Sequence, residues 1–214
     1  MSRGLFIVLE GVEGAGKSTQ ARLLAGWMEE MEVPFTLARE PGGTPVGEAI
    51  RRVVLDRGDL TMPPETELFL ILGARAAFVR EVVRPCLEAG RVLLADRFEL
   101  STFAYQGFGR GLDLEEVRRA NRLATGGLKP DLCIVLDVPA EVGLRRKGGP
   151  GPGDRIEREG APFLARVQGG YRILAGEESH VRLIDARGAP EDVQASVRRT
   201  LTEMFPETFP PVGV

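Results

Sequence analysis

A short apolar segment, Leu-Phe-Ile-Val-Leu at residues 5–9, runs directly into a glycine-rich turn, and this junction constrains the fold more than any other part of the sequence. The turn reads Gly11-Val-Glu-Gly-Ala-Gly-Lys-Ser18 and matches the pattern G-x-x-x-x-G-K-[ST] in full. Apolar residues then recur at the spacing of a helix core face: Leu23, Leu24, Trp27, Met28 and Met31. Strand, glycine loop and helix in this order predict a phosphate-binding loop at the start of a parallel βα unit.

Strand and helix patterns alternate along the rest of the chain. Further strands are predicted at residues 34–38, 92–95, 132–136 and 181–184. Helices are predicted at about 45–56, 66–89, 113–125, 139–147, 160–178 and 190–203. The alternation predicts an α/β protein of the P-loop NTPase fold: a five-stranded parallel sheet flanked by helices on both faces, with a short lid segment. The 214 residues suffice for one sizeable core, so we expect a single domain over residues 1–214.

Composition narrows the classes of partner. The chain has 28 Lys and Arg against 31 Asp and Glu, a net charge of -3, whereas a broad nucleic-acid-binding face is usually basic. No apolar run approaches the roughly 18 residues of a membrane span, and residues 1–10 lack the layout of a signal peptide. We therefore expect a cytoplasmic protein with small-molecule partners, no nucleic acid and no membrane.

The loop at residues 11–18 predicts nucleoside triphosphate binding. Its glycines let backbone N–H groups turn towards a phosphate, and the following helix contributes its positive N-terminal end. In such loops the lysine, here Lys17, bridges the β- and γ-phosphates, and the hydroxyl of Ser18 ligates Mg²⁺. The expected ATP-binding residues are Gly11, Gly14, Ala15, Gly16, Lys17, Ser18 and Thr19. GTPases, transport ATPases and kinases share this loop, so it does not identify the reaction.

Four arginines indicate a second anion site and so favour a kinase over an ATPase. They lie near predicted strand ends or on helices just after them: Arg39, Arg51, Arg75 and Arg97. A kinase must hold an acceptor phosphate in line with the γ-phosphate, and the planar guanidinium binds phosphate oxygens in pairs. Asp96, beside Arg97, is the preferred acid for the Mg²⁺ shell; the competing acid is Asp137, at the end of the fourth strand.

Taken together, these segments resemble thymidylate kinases of the bacterial type over about residues 4–204. The resemblance rests on six motifs: Glu10-Gly-Val-Glu-Gly-Ala-Gly-Lys-Ser18, Arg39-Glu-Pro-Gly-Gly43, Asp96-Arg97-Phe98, Ser101-Thr-Phe-Ala-Tyr-Gln-Gly107, Lys129-Pro-Asp131 and Asp154-Arg-Ile-Glu157. It implies transfer of the ATP γ-phosphate to dTMP, giving dTDP and ADP on the way to dTTP. It also implies a Mg²⁺ ion and usually a homodimer.

The resemblance implies roles for the acceptor-site residues as well. Glu13 points at the 3′-hydroxyl of the acceptor and at the metal shell, and Arg97 binds the acceptor phosphate with Arg39 and Arg51 nearby. Arg75 meets a thymine carbonyl, and the amide of Gln106 meets the N3–H edge. The same resemblance places Ser101 and Thr102 on that wall and Tyr105 under the deoxyribose, where a 2′-hydroxyl would project.

Two positions depart from the family pattern. The family usually carries a phenylalanine, stacked on thymine, four residues before the arginine at position 75; here that position is Ile71. Phe69 cannot simply replace it, because two helical positions apart face roughly opposite ways. In the expected lid, about residues 145–157, glycine and proline at 148–153 replace the usual arginines, which leaves Arg146 and Arg155 as candidates for the catalytic charge.

The sequence leaves two alternative functions open. A kinase for another monophosphate is the nearest one, and Ile71 keeps it in view. A nucleotide-driven regulatory switch is the other, although the sequence lacks the Asn-Lys-x-Asp-like guanine motif of many such switches. The apolar helix around residues 66–83 fits a dimer face and intramolecular core equally well.

Overall fold

All five described strands join one parallel sheet in the order β2-β3-β1-β4-β5. The computed structural model describes residues 3–57, 59–147 and 155–211. The strands are β1 (Phe6–Glu10), β2 (Phe35–Arg39), β3 (Val92–Asp96), β4 (Leu132–Asp137) and β5 (Val181–Asp185). Each coincides with a predicted strand to within one residue at either end, and the predicted five-stranded parallel sheet is confirmed.

The apolar runs mark the strands that are covered on both faces. Every residue of β1 is buried, and successive side chains of a strand point to opposite faces, so packed elements cover both sides of the sheet centre. In the register of the ladder Leu9 pairs with Asp96 of β3 and with Ile134 of β4. The carboxyl ends of β1 and β3 therefore meet at one edge, where the phosphate loop and Arg97 emerge.

Every predicted helix is present, with small changes at its ends. They are α1 (Lys17–Glu30), α2 (Pro45–Arg51), α3 (Pro64–Phe78), α4 (Arg84–Glu88), α6 (Leu114–Thr125), α7 (Ala140–Arg146), α8 (Ala161–Glu177) and α9 (Pro190–Met204). Two π-helical stretches, Arg52–Asp56 and Val79–Val83, extend α2 and join α3 to α4. In the part of the chain that is described, no helix has the length and apolar character needed to span a bilayer.

One helix was not predicted from the sequence. α5 (Glu99–Thr102) continues without a break as a π-helical stretch, Phe103–Gly109. Its glycines and aromatics are weak helix formers, so propensity does not indicate a helix here. The stretch packs against α8, and so closely that a side chain at Gly109 would collide with the Phe163 ring. This helix carries much of the predicted acceptor site.

The phosphate loop rests directly on the backbone of α7. A β-carbon on Gly14 would collide with the carbonyl of Gly143, and one on Gly143 would collide with the carbonyl of Glu13. No side chain fits between the two segments, so both glycines set how closely they approach. Gly14 is one of the loop residues expected to bind ATP, whereas nothing in the sequence pattern marked Gly143.

We predict that Gly143→Ala displaces the phosphate loop. Overpacking of this kind costs about 1–3 kcal/mol of folding free energy, and ATP affinity falls because the loop amides lose their alignment. The matched control is Gly169→Ala in α8, where an added β-carbon meets nothing within 4 Å. That change should stabilise the protein by about 0.5–1 kcal/mol. Thermal unfolding and ATP titration measure both effects; equal ATP affinity in the two variants would contradict the proposed packing role.

Candidate active site

A cavity of about 600 Å³ opens at the carboxyl ends of β1 and β3. The phosphate loop, the end of β2, α3 and the helix at residues 99–109 contribute to its walls. All the predicted site residues line this cavity except Gly11 and Arg155. The structure therefore brings residues from distant parts of the chain into one space.

The phosphate loop presents a helix N-terminus to this cavity. α1 begins at Lys17 after Gly16, whose φ of 99° lies in the left-handed region, and no side chain caps the helix. Lys17 Nζ donates to the carbonyls of Gly11 and Val12 at 2.9 and 3.0 Å. Burial, followed by the charge of Arg97, lowers the pKa of Lys17 to about 8. Anionic phosphates would oppose this shift, because an opposite charge favours the protonated amine.

Arg97 joins the phosphate loop to the helix at residues 99–109. One terminal nitrogen donates to Glu13 at 2.9 Å and Tyr105 at 3.2 Å. The other donates to Ser101 Oγ at 3.0 Å and to the hydroxyl of Tyr171 at 3.2 Å. Its backbone φ of 74° is left-handed, a conformation that costs a non-glycine residue about 1–2 kcal/mol. These bonds hold it in that conformation.

Glu13 lies between Lys17 and Arg97. The hydroxyl of Tyr105 donates to both of its carboxylate oxygens, at 2.7 and 2.9 Å. Burial alone would raise the pKa of Glu13, but the charges of Arg97 and Lys17 outweigh it and hold the pKa below its ordinary value. Glu13 is therefore an ionised hydrogen-bond acceptor in the lining of the cavity.

Glu10 and Tyr171 support this wall from behind, and the sequence analysis missed both. Glu10 accepts hydrogen bonds from the Phe98 amide at 2.8 Å, Ser101 Oγ at 2.5 Å and the hydroxyl of Tyr171 at 2.9 Å. Burial raises the pKa of Glu10, and the charge of Arg97 opposes the shift. An acidic residue that ends an apolar strand was the available signal for Glu10. No local pattern signalled Tyr171, which comes from α8.

Arg75 lies in the cavity wall, as predicted, with all five N–H groups bonded inside the protein. Nε and one terminal nitrogen pair with Glu40 at 2.9 Å, and the second hydrogen of that nitrogen goes to the Phe98 carbonyl. The other terminal nitrogen donates to Thr102 and Asn121 at 2.8 and 2.9 Å. A thymine carbonyl would therefore have to share a donor with one of these acceptors. Burial raises the pKa of Glu40 to about 7 against the opposing charge of Arg75.

Ile71 and Phe69 face in different directions, as their spacing predicted. Ile71 lines the cavity and is 8% exposed, whereas Phe69 is 66% exposed on the outer side of α3. The aliphatic side chain is therefore the one available to cover a base in this wall.

The two arginines predicted for the lid lie in different surroundings. Arg146 lines the cavity and donates to the carbonyls of Ala186 and Arg187 at 2.9 and 3.0 Å. Arg155 donates to the Val54 carbonyl at 2.9 Å and pairs with Glu67. The central part of the predicted lid, residues 148–154, lies outside the described residues. Either guanidinium would have to exchange these partners to reach a phosphate.

Three other predicted site residues, Asp96, Arg39 and Arg51, also have polar contacts within the protein. Asp96 is 3.4 Å from Ser18 Oγ, whereas Asp137 is taken up by Arg172 at 2.8 Å. Arg39 pairs with Glu48, and Arg51 donates to the Pro41 carbonyl.

Within the described ranges no group of three or more His, Cys, Asp or Glu side chains could hold a metal. Ser18 and Asp96 offer two hard oxygens, which fits Mg²⁺ completed by phosphate and water oxygens.

Comparison with known proteins identifies the family. The family model for thymidylate kinase matches residues 9–197. The chain belongs to the thymidylate kinase family. It is 44% identical over 210 residues to the thymidylate kinase of Symbiobacterium thermophilum, covering 98% of each chain. It is 46% identical over 203 residues to that of Pseudomonas syringae pv. tomato, covering 94% of this chain and 97% of the relative.

A solved structure supports the assignment independently. The crystal structure of thymidylate kinase from Ehrlichia chaffeensis superposes with a TM-score of 0.77 at 26% identity. The match covers 93% of this chain and 99% of that one. The P-loop NTPase fold and the family resemblance read from the sequence are both confirmed.

Proposed function

We propose that this thymidylate kinase family member transfers the γ-phosphate of ATP to dTMP, giving dTDP and ADP for dTTP synthesis. One observation carries the proposal: a single cavity has two cationic ends with an ionised carboxylate between them. Lys17 and the phosphate loop form one end, and Arg97 lies at the other, with Glu13 bonded to Arg97. An ATPase that activates only water has no need of the second cationic end.

The two substrates divide the cavity between them. ATP binds the loop through Gly11, Gly14, Ala15, Gly16, Lys17, Ser18 and Thr19. The dTMP phosphate meets Arg97, with Arg39 and Arg51 at the rim. The remaining dTMP contacts are Glu13, Ile71, Arg75, Ser101, Thr102, Tyr105 and Gln106. Membership of the family and the shared cavity support this division.

The chemistry is direct in-line transfer between bound substrates. Lys17 neutralises charge on the β- and γ-phosphates, while Arg97 holds the acceptor phosphate through its paired N–H groups. Glu13 and Tyr105 fix the Arg97 side chain, so the acceptor is aligned before transfer. Mg²⁺, held by Ser18 and Asp96, would supply further positive charge at the phosphates.

The lid and the location complete the proposal. We place the lid at about residues 145–157 of a single domain spanning residues 1–214, with Arg146 and Arg155 as candidates for the charge that neutralises the transferred group. Closing the lid would also exclude water from the reaction.

A cytoplasmic location is proposed because ATP and nucleoside monophosphates are available there.

We also propose a homodimer formed through an exposed apolar surface, which we call the α3–α6 face. Its centre is Phe69 of α3, 66% exposed, and Leu123 of α6, 87% exposed. A pocket between the two helices is lined by Leu68, Phe69, Leu112, Val117, Ala120 and Leu123, together with charged Glu65, Asp113, Glu116 and Arg119. Large apolar side chains within a polar rim are typical of interfaces between protein chains.

The first prediction is that dTMP alone among the common monophosphates strongly stimulates ADP release from ATP. Without the C5 methyl group, dUMP should lose about tenfold or more in kcat/KM, as removal of one apolar group from a pocket does. A coupled ADP assay with dTMP, dUMP, dCMP, dGMP and AMP measures this. If another monophosphate were preferred, dTMP would not be the acceptor. If no monophosphate stimulated ADP release, the proposed kinase activity would be rejected.

The second prediction concerns Arg97. Arg97→Ala should lower kcat/KM for dTMP by about 10²–10³, the effect of losing one positioned charge donor, while ATP affinity changes less than about twofold. Arg97→Lys should recover part of the loss, because it keeps the charge without the fork. Arg182→Ala, on the edge strand β5 and outside the cavity lining, is the control. Loss of ATP binding in Arg97→Ala would refute the division of the cavity.

The third prediction is that Phe69→Glu and Leu123→Glu each produce monomers. A charge buried at the centre of an apolar contact without a partner is unfavourable, so the dimer should dissociate. Ile173→Glu, on α8 and 50% exposed, is the matched control and should leave the dimer intact. Light scattering over a concentration series gives the mass. A monomeric wild-type chain, or a dimer that persists in both variants, would exclude this face.

A further inference from the structure

Glu67 is a fully buried carboxylate that does not line the cavity. It lies on α3 and accepts from Gln106 Nε2 at 2.7 Å. Arg110 donates to both of its oxygens, at 3.2 and 3.0 Å, and Arg155 pairs with it as well. Gln106 in turn lines the cavity. Glu67 therefore contacts the cavity wall indirectly, through the side-chain amide of Gln106.

The charge state of Glu67 determines which end of the Gln106 amide can hydrogen-bond to it. Burial would raise the pKa of Glu67, but hydrogen bonds from Arg110, Arg155 and Gln106 outweigh burial and keep the pKa below its ordinary value. An ionised carboxylate accepts hydrogen bonds and donates none. The two ends of a glutamine amide have nearly the same shape, so the partner determines their order. Glu67 therefore holds the NH₂ end of Gln106.

We propose that Glu67 is a positioning residue for base selection: by holding Gln106 Nε2, it turns Gln106 Oε1 towards the base. The inference rests on dTMP as the acceptor in this cavity. Thymine and uracil carry a donor at N3, whereas N3 of cytosine is an acceptor. A carbonyl oxygen facing N3 pairs with thymine and repels cytosine, so the orientation of one amide separates the two bases.

The other polar side chains on this wall already have hydrogen-bond partners within the protein. The five N–H groups of Arg75 are donors, and all are bonded within the protein. Thr102 Oγ1 already accepts from Arg75. The hydroxyl oxygen of Ser101 accepts from Arg97 while its proton goes to Glu10. The carboxylate of Glu40, which also lines the cavity, is paired with Arg75. We therefore assign N3–H to Gln106 Oε1, whose direction depends on Glu67 because Glu67 holds Nε2.

The test is Glu67→Gln, which keeps the shape of the side chain but removes the requirement for a donor opposite it. The Gln106 amide can then turn over and present NH₂ to cytosine. We expect the ratio of kcat/KM for dTMP to that for dCMP to fall about tenfold, the factor for exchanging one hydrogen-bond complementarity. The fall should come from better use of dCMP as well as poorer use of dTMP, which a merely loosened site would not produce.

The matched control is Arg110→Gln. It removes an arginine from Glu67 but leaves the Gln106–Glu67 bond, so the dTMP to dCMP ratio should stay within about twofold of wild type. An unchanged ratio in Glu67→Gln would overturn the proposal. An equal fall in both variants would also overturn it, because the ion-pair cluster and not the amide would then set selectivity.

A second variant keeps the proposal testable if Glu67→Gln does not fold. Gln106→Leu removes the amide itself, and circular dichroism with thermal unfolding shows whether each variant is folded. The dTMP to dCMP ratio must fall in Gln106→Leu; a ratio equal to wild type would overturn the proposal. If wild-type protein does not phosphorylate dTMP at all, the proposed function fails first, and that outcome is seen before any variant is made.

Discussion

The ion pair between Glu13 and Arg97, 2.9 Å apart and largely shielded from solvent, is the interaction on which the site depends. It joins the phosphate loop after β1 to the residue that follows β3. The sheet makes this contact possible, because β1 and β3 are neighbours and both strands end at the same edge. One pair of charges therefore connects the phosphate loop to a residue just before the helical wall of the cavity. Such a pair needs further hydrogen bonds to offset its desolvation, and Tyr105 and Ser101 supply them.

Three further buried carboxylates hold polar side chains of the cavity wall in place. Glu10 orients Ser101, Glu40 holds Arg75, and Glu67 holds Gln106. Each acid is nearly inaccessible to water, and each is paired with donors that face or flank the cavity. Unpaired buried charges are costly, so these acids restrict their partners to few orientations. Rigid side chains in the wall favour transfer, because alignment of the reacting groups is prepared before the substrates bind.

The segments on either side of residues 148–154 are held by separate contacts. Arg146 and Arg155 lie on either side of residues 148–154, and each is bonded to a different wall of the cavity. Arg155 and the amide of Gln106 both bind Glu67, so the two side chains have a common partner. Any movement that brings Arg155 to the phosphates changes the ligands of that carboxylate. A change in the contacts of Arg155 would therefore also change the surroundings of the Gln106 amide.

The sequence by itself determined the elements whose signals are local. Glycines and Lys17 lie between an apolar run and a helical pattern, and alternating patterns elsewhere marked all five strands. Motifs and family resemblance placed Arg97, Gln106 and Ile71 in one site. Only the tertiary structure revealed the helix at residues 99–109, the close approach of Gly143, and the support from Glu10, Tyr171 and Glu67. Packing against α8 overrides weak helix propensity in the first case. In the others the partners lie far apart in the chain, and hydrogen bonds between distant residues leave no periodic signal in a sequence.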